Sequence, residues 1–363
     1  MRAIKVYLKN RSYQILIGNN ILRVLGKYLK KLSLGDTAYL ITNSRVRRHY
    51  GKLVAKSLNQ SGFRVRFKLI PDSEESKSLN VASGVIRDIT RYAKNKKLFI
   101  IALGGGVVGD LAGFVASIYR RGIDYVQVPT TLLAQADSSI GGKTALDLEE
   151  GKNLVGTFHQ PRLVFCDVKT LKTLTPRQIR SGLAEIIKCA IIRDKKLFIY
   201  LESRCRDILA LKPQALEHAL LSAIKVKAAI VGADEREEKG RRTVLNFGHT
   251  IGHAIEAAAL YRTYNHGEAI ALGMIVALDI SRELGLTNSQ TQKRIENIIR
   301  AAGLPTRIKK IKPGKIIARH YQDKKFTGSK NRLVLIGGIA KAKVVQNIPL
   351  ALIKKSLQKT IYS

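Results

Sequence analysis

The sequence is short of acids, of cysteine and of long apolar runs. Asp and Glu number 27 against 64 Lys and Arg, a net charge of +37 over 363 residues. The three cysteines, Cys166, Cys189 and Cys205, are odd in number and lack CxxC spacing. That argues against a disulfide framework and a cysteine zinc site, and it fits a reducing, cytoplasmic setting. No stretch of eighteen apolar residues occurs, so no membrane-spanning helix is expected. The opening Met1-Arg-Ala-Ile-Lys-Val-Tyr-Leu-Lys alternates like a strand and has no signal-peptide apolar core. RGG tracts, zinc-finger spacing and aromatic-interleaved basic strips are also missing.

A charge of this size raises the question of a polyanion partner. Residues 305–363 hold 15 Lys and Arg against one acid, Asp323. These lysines alternate with apolar residues, as in Ile308-Lys-Lys-Ile-Lys and Ala340-Lys-Ala-Lys-Val-Val, which is the pattern of solvated faces on packed elements. The reading preferred over a nucleic-acid binder is a basic surface on a protein with small anionic ligands.

What is present is enough for a core: 45% of residues are hydrophobic. Residues 2–8 and 12–17 read as a hairpin around Lys9-Asn-Arg. Leu22 to Leu32 has helical spacing. Strands are expected at Thr37–Asn43, Phe63–Ile70, Leu98–Leu103, Tyr125–Pro129 and Leu163–Asp167, with helices from about Ser44 to Ser61 and up to Tyr92. This βαβα rhythm implies a mostly parallel sheet with crossover helices. After about residue 175 helical patterns dominate: about 177–192, 195–210, 213–238, 242–260, 267–284 and 288–302. Two short strands, 332–337 and 342–346, and a helix near 350–359 follow. The expected domains are 1–175 and 176–363.

Gly104-Gly-Gly106-Val-Val-Gly109-Asp110 follows a strand and opens a helix, so it suits a pyrophosphate at a helix N-terminus. It departs from the ordinary dinucleotide fingerprint, because it is not in the first βαβ unit and the next acid, Asp124, precedes the following strand. Thr130 and Thr131 end a strand, where ligands bind in open α/β sheets. Gly141-Gly142-Lys143-Thr144 resembles the end of a P-loop, but Asp137 stands where the first glycine is required. Lys143, Lys152 and Asn153 remain apt phosphate and hydroxyl ligands beside glycine turns, with a surface hairpin as the bland alternative.

In the helical half, Glu185 and Lys188 are three apart, ordinarily a surface ion pair. Here Leu183, Ala184, Ile186 and Ile187 flank them. Arg242, Asn246 and Thr250 recur at four-residue spacing and share one face if the stretch is helical. Three of the seven histidines, His249, His253 and His266, fall within eighteen residues. His249 and His253 are four apart, so they share a helical face. A catalytic metal site competes with one or two histidines packed in a core. Gly248 and Gly252 are costly inside a helix, so something must approach the backbone closely there, and metal and substrate are the expected occupants of that room.

Together these words resemble the 3-dehydroquinate synthases, within the sugar phosphate cyclases. The matching runs are 104–110, 128–145 (Val-Pro-Thr-Thr-Leu-Leu-Ala-Gln-Ala-Asp-Ser-Ser-Ile-Gly-Gly-Lys-Thr-Ala), Gly-Lys-Asn at 151–153, Gly-Leu-Ala-Glu-Ile-Ile-Lys at 182–188, Leu-Asn-Phe-Gly-His-Thr-Ile-Gly-His-Ala-Ile-Glu at 245–256, His-Gly-Glu at 266–268 and Asp-Lys-Lys at 323–325. The resemblance implies an α/β NAD-binding domain with a mostly parallel sheet, then an all-α-dominated metal-binding domain, with the active site between them. It implies an NAD-dependent lyase using one divalent metal, zinc or alternatively cobalt. The substrate would be 3-deoxy-D-arabino-heptulosonate 7-phosphate, a small anionic sugar-acid phosphate, converted to 3-dehydroquinate and phosphate in the shikimate route to aromatic amino acids.

The implied metal ligands are Glu185, His249 and His266, which moves His253 to the substrate phosphate and proton transfer. NAD would meet Asp72, Ser73, Glu74, Glu75, Ser76, Lys77, Gly106, Val107, Val108, Gly109, Asp110, Thr130, Thr131, Lys143, Lys152, Thr170, Leu171, Lys172 and Thr173. Substrate would meet Asp137, Lys143, Asn153, Lys188, Lys227, Arg242, Asn246, His253 and Lys325. Arg121 would reach a neighbouring subunit's phosphate site, implying a homodimer. A cyclase with a carboxylate-free substrate and a metal-dependent polyol dehydrogenase are the alternatives within the enzyme class.

Overall fold

Thr37–Asn43 and Leu98–Gly104 are buried at every position, the mark of strands covered on both faces. The structure, a computed structural model, describes residues 1–93, 96–309, 311–321 and 331–361. It divides into two compact units, Met1–Leu174 and Thr175–Ser363.

The first unit runs β1 (Arg2–Val6), β2 (Tyr13–Gly18), α1 (Leu25–Lys30), β3 (Thr37–Asn43), α2 (Ser44–Val46) continuing through a wide turn into α3 (Lys52–Asn59), β4 (Arg64–Ile70), α4 (Leu79–Tyr92), β5 (Leu98–Gly104), α5 (Gly106–Ile118), β6 (Tyr125–Pro129), β7 (Lys143–Leu148), β8 (Gly151–Phe158) and β9 (Leu163–Asp167). Seven strands form one sheet in the order β1-β2-β9-β6-β5-β3-β4. Every pairing is parallel except β1 with β2. The two-residue period sends Leu40 to one apolar layer, with Leu25, Leu29 and Leu58. Its neighbours Tyr39 and Ile41 enter the other, with Val85, Ile89 and Leu111. β7 and β8 form a separate antiparallel hairpin, so the polar stretch around Lys143 and Lys152 is a hairpin.

The second unit runs α6 (Pro176–Arg193), α7 (Lys195–Leu209), α8 (Pro213–Ala233), α9 (His249–Ala258), α10 (His266–Glu283), α11 (Ser289–Ala301), α12 (Pro313–Tyr321), a hairpin of β10 (Arg332–Ile336) and β11 (Ala342–Gln346), and α13 (Leu350–Thr360). α6 starts on a capping box, Thr175 with Gln178, and Pro176 in its first turn. α10 starts on a second capping box, Asn265 with Glu268, and Arg177 clasps the Glu268 carboxylate through Nε at 2.7 Å and Nη2 at 2.6 Å. Thirteen residues of α6 and fourteen of α10 are buried, so both are central helices of this unit.

Two expected helices are shorter than their periodicity suggests. The one expected over 213–238 ends at Ala233, where Asp234 turns back to accept from the Lys239 and Arg242 amides at 3.0 and 3.1 Å. The one expected over 242–260 is two pieces: a 3-10 turn, Arg241–Asn246, and α9. Gly248, with φ +76°, separates them, and a left-handed residue cannot continue a right-handed helix. Arg242, Asn246 and Thr250 therefore do not line one helical face. Among the described residues no helix is long and apolar enough to cross a membrane.

Candidate functional site

Three helices of the second unit supply one group of donor atoms. Glu185 lies mid-way along α6, while His249 opens α9 and His266 opens α10. Glycine sets how closely these helices approach. A Cβ on Gly273 of α10 would stand 2.0 Å from the Gly248 carbonyl oxygen and 2.7 Å from the Gly252 amide nitrogen. A Cβ on Gly248 would fall 2.6 Å from the Met274 side chain, and one on Gly252 2.8 Å from that of Ile270. The space beside Gly248 and Gly252 is thus filled by α10. That corrects the expectation that these glycines leave room for metal and substrate. On the other flank the Gly267 amide donates to Ser181 Oγ at 3.0 Å, tying the start of α10 to α6.

The result is a tight cluster. Nε2 of His249 and of His266 stand 3.4 and 3.3 Å from Glu185 Oε1. One donor atom from each of the three residues lies within 4.8 Å of the others. His249 Nδ1 is 3.2 Å from the Phe247 carbonyl oxygen. A carbonyl only accepts, so Nδ1 carries the proton and Nε2 keeps its lone pair for a ligand. Glu185 Oε2 meets Lys188 Nζ, and both residues are buried.

Burial alone would push the Glu185 carboxyl up; Lys188, His249 and His266 overcome it and hold the group well below the usual carboxylate range. Burial and the Lys188 charge push His249 down, which keeps it neutral. Burial also works against a charged His266, but Glu185 and Glu256 outweigh it and raise that ring to about 10. One carboxylate and two imidazoles make a mixed oxygen and nitrogen set that suits zinc or cobalt, and three protein donors leave a position open. The donor chemistry thus fits a divalent metal. His253, exposed, stands edge-on to the His249 ring at 5.4 Å between centroids.

Other second-unit residues singled out in the sequence are placed as follows. Lys227 is buried on α8. Arg242 is buried, its Nη1 donating to the Glu235 carbonyl at 2.8 Å and its Nε 3.5 Å from Glu237. Asn246 is half-buried at the end of the 3-10 turn. Lys325, with Asp323 and Lys324, lies outside the described residues. Two cavities of this unit, about 430 and 640 Å3, are lined by none of these residues, so donor chemistry rather than cavity size marks the cluster.

The first unit gathers a second polar group around a buried lysine. Lys77 Nζ lies 3.0 Å from Asp110 on α5, 3.7 Å from Asp147 on β7 and 3.9 Å from Glu74, and it also donates to the Asn153 side chain. Glu74 reaches Lys152 at 3.4 Å. Asn153, at a left-handed φ of 55°, donates its amide to Asp147 at 2.7 Å. One cation thus ties together the 72–77 loop, the first turn of α5 and the hairpin. Burial opposes the Lys77 charge, but Asp110, Asp147 and Glu74 more than compensate and raise it. Burial raises the Asp110 carboxyl to about 6, with Lys77 pulling it back.

Other expected nucleotide contacts divide by exposure. Asp72 accepts from Asn43 at 2.7 Å and pairs with Arg45 at 3.2 Å; Ser73 and Glu75 are exposed, while Ser76 is buried against the Pro71 carbonyl. Gly106 and Val107 are half-buried at the mouth of α5, whereas Val108 joins the core and Gly109 backs onto Gln127. Thr130 is buried and Thr131 half-buried at the end of β6. Asp137 is half-buried in the turn after it, and Lys143 is exposed at the start of β7. In the turn after β9, Thr170 and Leu171 face inward, while Lys172 and Thr173 are exposed, Thr173 meeting the Tyr50 hydroxyl at 2.7 Å. Arg121 is exposed beyond the far end of α5. Thirteen helical residues, about 20 Å, therefore separate it from the glycine turn.

Two adjoining family models match residues 67–326, well over half of the chain. The 3-dehydroquinate synthase N-terminal model covers residues 67–181, and its C-terminal counterpart covers 182–326. The chain belongs to the 3-dehydroquinate synthase family. It is an enzyme of that family, and a relative named 3-dehydroquinate synthase, from Desulforamulus reducens, is 44% identical over 96% of this chain and 97% of its own length. Among solved structures, a 2-deoxy-scyllo-inosose synthase complexed with carbaglucose-6-phosphate, NAD+ and Co2+ superposes with a TM-score of 0.87 at 27% identity, covering 99% of this chain and 100% of its own. A 2-epi-5-epi-valiolone synthase from Streptomyces hygroscopicus, with NAD+ and Zn2+ bound, gives 0.87 at 27% over 97% and 98%.

Three residues of these clusters carry little signal in the sequence. Asp147 is marked by nothing more than its place four residues after Lys143. Ser181 immediately precedes the Gly-Leu-Ala-Glu word. Glu256 stands three residues after His253 and seven after His249, a helical spacing that puts all three on one face.

Proposed function

We propose that this chain is a 3-dehydroquinate synthase in activity as well as in family. It converts 3-deoxy-D-arabino-heptulosonate 7-phosphate to 3-dehydroquinate and phosphate. The observation that carries the reading is the convergence of Glu185 Oε1 with Nε2 of His249 and His266, in a chain 44% identical to a relative of that name. When bound at this set and at the glycine turn, a divalent metal, zinc or cobalt, would act as a Lewis acid and NAD would take and return a hydride.

The chain's own residues supply orientation and charge. Glu185 stays ionised and His249 neutral, so both offer lone pairs at neutral pH. Lys188, Lys227 and Arg242 are buried cations of the second unit, suited to a substrate that carries both phosphate and carboxylate. His253, exposed beside the cluster, orients the phosphate and moves a proton. In the first unit Lys77, Asp110, Lys143 and Lys152 serve the nucleotide, while Asp137, Asn153 and Lys143 serve the substrate, as does Lys325 of the second unit. Arg121 serves a partner subunit's phosphate site in a homodimer; its distance from the glycine turn along α5 supports that role.

The test is phosphate release from the heptulosonate substrate with trace NAD. Release that is abolished by chelator and restored by zinc is expected. No release with metal and NAD present contradicts the reading, and NADH accumulating in step with substrate marks a dehydrogenase instead. The likeness to the inosose and valiolone synthases favours one second reading, a cyclase of a carboxylate-free sugar phosphate. Parallel assays with glucose 6-phosphate and sedoheptulose 7-phosphate decide it.

A further inference from the structure

Glu256 is a carboxylate nine-tenths buried in α9. A charge in that position needs a partner. Its Oε2 lies 3.6 Å from His266 Nδ1, and one nitrogen of the His253 ring lies within 4.8 Å of both residues' donor atoms. At 3.6 Å the pair is an electrostatic contact, longer than a hydrogen bond. The opposite nitrogen of the same ring, Nε2, is the atom aimed at Glu185. His266 thus lies between two carboxylates, one on each nitrogen.

Two overlapping donor groups share His266: Glu185 with His249, and His253 with Glu256. The first group is the buried one, and its other imidazole already has its Nδ1 proton committed to the Phe247 carbonyl. Among the described residues, what faces His266 Nδ1 is the Glu256 carboxylate rather than a carbonyl. A carboxylate there holds the proton on Nδ1, so Nε2 is the nitrogen whose proton a bound metal would displace. We propose that Glu256 is a positioning residue for the metal centre, holding the ring and tautomer of His266 from behind, and is not itself a ligand.

The proposal rests on the metal reading above, and the experiment separates the two. Purified full-length protein, stripped of metal, is titrated with Co2+ against a competing chelator, following the visible cobalt bands. Wild type is expected to bind one ion per chain. Glu256→Ala is expected to bind it about 10–100-fold more weakly, with altered cobalt bands. Glu256→Gln, which keeps the shape and an oxygen able to face Nδ1, is expected to recover part of the affinity. NAD affinity is expected to stay within twofold in both, which shows that the fold is intact. Failure of wild type to bind Co2+ overturns the metal reading and this inference with it. Wild-type binding with affinity unchanged in both variants overturns this inference alone. So does a His253→Ala loss as large as that of His249→Ala, since the ion then sits in the other group.

Discussion

The two polar clusters of this chain are built by opposite means. Around Lys77, loops that leave strand ends and one hairpin are drawn together by a single buried cation among three carboxylates. Around Glu185, α9 and α10 close on each other where Gly248, Gly252 and Gly273 lack side chains, α6 meets α10 at Gly267 and Ser181, and the donors then converge. The first cluster depends on charge and the second on backbone approach. Variants should therefore separate the two, and each can be scored by NAD affinity on one side and metal affinity on the other.

The largest effect is expected from Glu185→Gln. Losing an anionic metal ligand should lower phosphate release roughly a thousandfold while leaving NAD affinity unchanged, measured by steady-state assay and fluorescence titration. Lys77→Met comes next. It leaves Asp110 and Asp147 without their shared cation, so a loss on the order of 3 kcal/mol in urea unfolding and weaker NAD binding are expected, with Co2+ affinity retained. If Lys77→Met weakened metal and nucleotide equally, the separation would be broken.

Gly273→Ala forces a methyl group onto the Gly248 carbonyl, and overpacking of this kind costs about 1–3 kcal/mol. It should lower Co2+ affinity and the melting temperature, but not NAD affinity. The smallest effect concerns pH. Asp110 is raised from 3.8 to about 6, first by burial and then less the pull of Lys77. The folded state therefore holds this proton more tightly than the unfolded chain does. Its stabilising contribution is full below the ordinary aspartate value and is lost as pH rises through about 6. Asp110→Asn should accordingly gain stability relative to wild type between pH 4 and pH 7, read from urea midpoints.

The same contrast explains what the sequence made legible. Continuous apolar runs such as Leu98–Leu103 announce covered parallel strands, and the glycine turn, the two threonines and the Gly-Lys-Asn word lie where strand and hairpin grammar puts them. The helical unit is harder to read. Periodicity joins residues 242–260 into one helix because Val244, Leu245, Ile251 and Ile255 keep its spacing. What breaks it is the left-handed backbone at Gly248, where α10 also occupies the space a side chain would need. The partnership of Glu185 with His249 and His266 spans 81 residues between its ends, so local spacing suggested His253 instead. The family resemblance, rather than helical geometry, named the other two.

The most direct test of the account is metal stoichiometry across four single variants, by cobalt absorption on the stripped protein. One tightly bound ion per chain is predicted in wild type and in His253→Ala. Loss of that ion is predicted in Glu185→Gln, His249→Ala and His266→Ala. Retention of the ion in Glu185→Gln together with its loss in His253→Ala would contradict the account, because the centre would then be built on α9 and α10 without α6.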